Sequence, residues 1–144
     1  MNIKRSFGAS VLFDRRPASA TVALSLASLS ALATLYQGIT TLLSVSGYYF
    51  DGIYLKLNED VSWRMGFVAT LWAILELLVI FLALQPRPLA RLAVIAMVGF
   101  KLVALLSLNQ SSLPAWQYVL LLAFHTAPIV LLLTRSSNNY YSLK

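Results

Sequence analysis

Four long apolar stretches, bounded by proline, polar or basic residues, set the pattern of this chain. Met65–Leu84 (MGFVATLWAILELLVIFLAL) holds a single ionisable residue, and as a helix it rises about 30 Å, the thickness of a bilayer's hydrocarbon core. Gln85-Pro86-Arg87-Pro88 then reverses the chain, because proline lacks a backbone donor and turns its predecessor away from helical geometry. A second apolar run, Leu92–Leu108, must return beside the first. Pro17 opens a stretch from Ala18 to Ser46, and Pro114 opens another that ends near Thr134. The pattern predicts helices near 18–46, 65–85, 91–108 and 116–134. The fold class expected is all-α, an integral membrane four-helix antiparallel bundle. Residues 1–16 are expected to form a basic interfacial segment, 17–134 the membrane domain and 135–144 a polar cytoplasmic tail, frayed or docked through Tyr140 and Tyr141.

The first stretch has a face of small residues. Ala20, Ala23, Ala27, Ser30, Thr34, Gly38 and Thr41 recur at steps of three and four, so another backbone can approach closely. Ser30-Ala31-Leu32-Ala33 resembles a signal-peptide cleavage site, but the stretch is expected to remain as the first span. Between Gly47 and Arg64, Tyr48, Tyr49, Phe50, Tyr54 and Trp63 form an interfacial aromatic belt around Asp51, Glu59 and Asp60. These acids lack the regular spacing of a calcium loop and read as a solvated loop. Ile53, Leu55 and Leu57 alternate with polar neighbours, which suits extended chain.

Candidate chemistry lies in the polar groups that the apolar stretches carry. Glu76 precedes Gln85 by nine residues and Lys101 follows Arg91 by ten, so both lie about 14–15 Å from the same membrane face. Either charge alone costs about 2.5–3.5 kcal/mol at the bilayer centre, and opposite charges at matched depth are expected to pair. Such a pair can fix helix register, carry a proton or ion, or meet a partner or lipid-like ligand. His125 lies in the fourth stretch, with Pro128 leaving the Phe124 carbonyl without its helical donor. A satisfied core histidine, a proton relay and an axial ligand to haem or chlorophyll are the alternatives. Gln37 is expected to make a hydrogen bond within the bundle.

Composition narrows the class. Of 144 residues, 59% are hydrophobic and 11% charged, which excludes an ordinary soluble domain. The net charge of +6 has a topological rather than a nucleic-acid explanation, because the basic residues flank apolar segments. With no cysteine, disulfides, thiolate metal sites and iron–sulfur clusters within the chain are excluded, and no metal site is predicted. Lys4, Arg5, Arg15, Arg16, Arg87, Arg91, Arg135 and Lys144 belong on one side, which by the positive-inside rule places both termini in the cytoplasm, with a bacterial-type cytoplasmic membrane expected.

Leu75-Glu76-Leu77-Leu78 through Leu84, then Pro86-Arg87-Pro88, Arg91 and the small-residue third helix, resembles the DoxX-like family of small four-helix membrane proteins. The resemblance covers about a third of the chain and implies a role among subunits linked to thiosulfate and quinone chemistry. Three functions follow as expectations. The first is a non-catalytic accessory or scaffold subunit that self-associates or joins other membrane subunits. The second is a quinone- or haem-associated redox subunit using His125. The third is a small transporter or proton-conducting oligomer using Glu76, Lys101 and His125. No catalytic motif is present, and the sequence names no cofactor.

Overall fold

The computed structural model describes residues 16–44, 48–50, 53–55, 59–107 and 114–142. They form five helices and one short hairpin: α1 (Ala18–Ser44), β1 (Tyr48–Phe50), β2 (Ile53–Leu55), α2 (Glu59–Ala83), α3 (Pro88–Ser107), α4 (Ala115–Leu133) and α5 (Arg135–Ser142). Helices α1 to α4 are each long and apolar enough to cross a membrane. The strands pair antiparallel with Tyr49 opposite Tyr54, and β1 lies against α1 and α2.

The helix boundaries differ from the sequence expectation in ways that have local causes. α2 begins at Glu59 rather than at residue 65, because a polar first turn that includes Asp60 favours the positive end of a helix dipole although it adds nothing to hydropathy. α3 begins at Pro88, where the fixed φ of proline suits a first helical position, and the Arg91 amide closes that turn on the Arg87 carbonyl at 3.2 Å. The connection between α2 and α3 thus shrinks to residues 84–87. Pro128 lies within α4 and is buried.

α1 packs against α2 and α4, α3 packs against α2 and α4, and α5 lies over one end of the assembly. The small-residue face of α1 is wholly used by this packing: Ala20, Ala23 and Ala27 are fully buried and Thr41 nearly so. At Gly38 the backbones of α1 and α2 approach so closely that a Cβ there would lie 2.8 Å from the Thr70 amide nitrogen. Glycine is the residue that such a crossing admits. Ile80 of α2, Val94 and Val98 of α3, and Leu132 of α4 complete the core around the alanines. Outward from it point large apolar side chains, among them Leu29, Phe81, Phe100 and Val119, which suits lipid rather than water.

Contacts fix which helix ends meet. Arg16, just before α1, reaches the Leu84 carbonyl after α2, and Ser19 of α1 meets Ser136 and Ser137 of α5. The 135–144 stretch, expected as a polar tail, folds over residues 135–142 as α5 and docks through both tyrosines: Tyr140 donates to the Leu84 carbonyl at 3.0 Å and Tyr141 to the Ala83 carbonyl at 2.8 Å.

Candidate functional site: an intramembrane ion cluster

The polar centre of the molecule is built from three helices. Lys101 of α3 places its Nζ 2.6 Å from Glu76 Oε2 of α2. The same ammonium donates to Ser30 Oγ and Thr34 Oγ1 of α1, each at 3.0 Å. Glu76 is fully buried and Lys101 is 4% exposed. An ammonium has three N–H donors, and here three acceptors surround it.

Local geometry explains why α1 supplies those acceptors. Ser30 and Thr34 are separated by one helical turn and so share a face. Thr34 Oγ1 donates to the Ser30 carbonyl at 3.0 Å, which spends the hydroxyl proton inside α1 and leaves an oxygen lone pair for Lys101. Depth matches as well: Ser30 lies about 18 Å along α1 from Ala18, and Lys101 about 20 Å along α3 from Pro88. In the sequence Ser30 and Thr34 belong to the packing face of α1, and the fold adds their bonds to Lys101. Two hydroxyls one turn apart, amid alanine and at the depth of an unpaired charge, were the available signal.

A cleft of about 250 Å³ opens beside this cluster. Met65, Val68, Trp72 and Phe100 line it, with Thr34 and Lys101 among its other boundaries. Trp72 and Phe100 lean on each other with ring centres 5.0 Å apart.

The other two residues singled out from the sequence lie elsewhere. His125 is 1% exposed on the inner face of α4, which also buries Tyr118, Pro128 and Leu132, so its ring faces protein. His125 does not line the cleft beside Lys101. Gln37 is half-buried, and its main-chain carbonyl receives the Thr40 and Thr41 hydroxyls of the same helix at 3.0 and 2.8 Å. Among the described residues there is no group of three or more His, Cys, Asp or Glu able to hold a metal ion.

A second polar cluster caps the end of α2. Its last carbonyls lack helical donors, and Arg16, Tyr140 and Tyr141 supply them, with Arg16 also placing a cation at the negative end of the dipole. Arg91 stands over the Tyr141 ring, 5.7 Å from its centre. Burial, reinforced by the neighbouring Tyr140, pushes the Tyr141 hydroxyl up from 10.0 to about 12 against the opposing pull of Arg16 and Arg91. Ser19, Thr134 and Ser137 share hydroxyl contacts of 2.9 to 3.2 Å that tie α1 to the α4–α5 junction.

Comparison with protein-family models, with curated proteins and with solved structures finds no match to this chain.

Proposed function

We propose that this small multi-pass membrane protein is a non-catalytic accessory or scaffold subunit of a larger membrane complex. The observation that carries the reading is the closure of the intramembrane cluster: each donor of Lys101 is met from within the chain, by Glu76, Ser30 and Thr34. A charge pair so enclosed sets the register of three helices and holds a fixed surface. Because the small-residue face of α1 is consumed internally, a partner must meet the outward apolar surface instead. The test is purification in mild detergent followed by mass spectrometry. Co-purifying membrane subunits, or a defined homo-oligomer, are expected; a monodisperse monomer without partners contradicts the reading.

We infer further that the four long helices run alternately up and down with both termini cytoplasmic. The meeting of Arg16 with Leu84, and of Ser19 with Ser137, supports this arrangement, as does the gathering of Arg16, Arg87, Arg91 and Arg135 toward one end. A reporter fused after Lys144 is expected to read cytoplasmic. The likeness of Leu75–Leu84, Pro86-Arg87-Pro88, Arg91 and the third helix to the DoxX-like family agrees with a bacterial-type cytoplasmic membrane, and membership of that family is part of the proposal.

One observation favours a second reading, a small transporter or proton-conducting oligomer: the cleft beside the ion cluster has Lys101 in its lining. Under that reading Glu76→Gln abolishes flux in liposomes; unchanged flux removes it.

A further inference from the structure

The turn at residues 84–87 joins two helices that are each long and apolar enough to cross a membrane, so it stands at a membrane boundary whichever way the chain is oriented. A groove of about 490 Å³ opens there between α2 and α3. Val79 and Leu82 form one wall, Leu89, Ala90 and Ala93 the other, and Arg87 stands at the rim. Val79 and Ala93 each lie about 8 Å along their helices from the turn, so the groove descends from headgroup level into the hydrocarbon.

The arginines at this end are not equivalent. Arg16 is committed to the Leu84 carbonyl, and Arg91 stands over the Tyr141 ring. Arg87 is exposed, and among the described residues no hydrogen bond or ion pair holds its guanidinium. Its rim position joins an uncompensated cation to a descending apolar channel.

We propose that this groove is a binding site for an anionic phospholipid, with the phosphate on Arg87 and the first part of one acyl chain lying between Val79 and Leu82 on one side and Ala90 and Ala93 on the other. A guanidinium meets a phosphate through paired charge-assisted hydrogen bonds. The apolar walls select a lipid over a free anion, since they offer a small ion nothing. The surrounding arginines select an anionic headgroup over one that carries its own cation, which they repel. The two alanines make the room; a larger side chain at residue 93 fills it.

The test is lipid retention by the full chain, purified in mild detergent and measured by native mass spectrometry with added phosphatidylglycerol or phosphatidylcholine. Phosphatidylglycerol is expected to be retained in preference. Arg87→Gln, a change at an exposed turn, is expected to weaken that retention about fivefold, the scale of one basic residue at a membrane surface. Ala93→Phe is expected to reduce it as much or more by filling the groove, and Ala93→Leu repeats the test should the larger side chain disturb folding. Arg135→Gln, at another exposed basic position, should change little. Equal losses from Arg87→Gln and Arg135→Gln would mean diffuse attraction and overturn the site. So would equal retention of phosphatidylcholine, an unchanged value in both residue-93 variants, or displacement of the lipid by inorganic phosphate.

Discussion

Thr34 Oγ1 on α1 stands 3.0 Å from Lys101 Nζ on α3 and meets it as an acceptor, because its own proton goes to the Ser30 carbonyl. Replacing it by valine keeps the shape and leaves one buried ammonium donor without a partner. Thr34→Val is therefore expected to cost about 1–3 kcal/mol, measured by reversible unfolding in detergent. Thr21→Val, at an exposed position of the same helix, is expected to stay within about 0.5 kcal/mol. Equal effects at the two positions would remove Thr34 from the cluster.

The glycines offer a contrast between positions of identical chemistry. A Cβ at Gly38 meets the Thr70 backbone nitrogen at 2.8 Å, and backbone cannot step aside as a flexible side chain can. Gly38→Ala should thus destabilise by about 1–3 kcal/mol through separation of α1 and α2. A Cβ at Gly99 meets nothing within 4 Å, so Gly99→Ala should be neutral or slightly stabilising. Paired unfolding curves check both, and comparable costs would contradict the close crossing at Gly38.

How far this structure is legible in the sequence depends on whether a feature follows from hydropathy and counting. The apolar runs outline four membrane-length helices, and the separations of Glu76 and Lys101 from the proline turn place the two at one depth. The extended chain at Ile53–Leu55 follows from its alternation. The first turns of α2 are concealed because they are polar. Ser30 and Thr34 are concealed because a small hydroxyl residue among alanines reads as packing, and its second role emerges only when a third helix brings the ammonium to it. The helical form of α5 is concealed, although its two tyrosines signal docking. RSSNNYYS carries no membrane-length apolar run, and what places it is the fit of two tyrosine hydroxyls to the carbonyls of Ala83 and Leu84.

That fit makes the α5 cap sensitive to alkali. The folded-state pKa of Tyr141, raised from 10.0 to about 12, exceeds the unfolded value, so folding favours the neutral phenol. The contribution of Tyr141 is complete below about pH 10 and is lost as pH rises from there through about 12. Ultraviolet titration of tyrosinate, with Tyr141→Phe as the reference, should assign a late-ionising phenol to Tyr141. Protection of the α5 amides, normalised for the base catalysis of exchange, should fall over the same interval in the wild-type chain, while Tyr141→Phe, already without the bond to Ala83, should start with lower protection and lose little more. Ionisation of Tyr141 near pH 10 would contradict its burial in the cap.

Glu76 and Lys101 act as one unit at the centre of the fold, and a double-mutant cycle read by reversible unfolding in detergent measures that directly. Glu76→Leu alone strands a buried ammonium and should cost about 3–5 kcal/mol. Lys101→Leu alone takes the ammonium away from the buried carboxylate and should also destabilise the fold. Glu76→Leu with Lys101→Leu removes both charges, leaves Thr34 bonded to its own helix, and should cost less than either single change, with stability that equals or exceeds the wild type as one admissible result. Single changes that are each mild and simply add in the double variant would show that the two residues do not depend on each other, and would contradict an ion cluster as the organising centre of this protein.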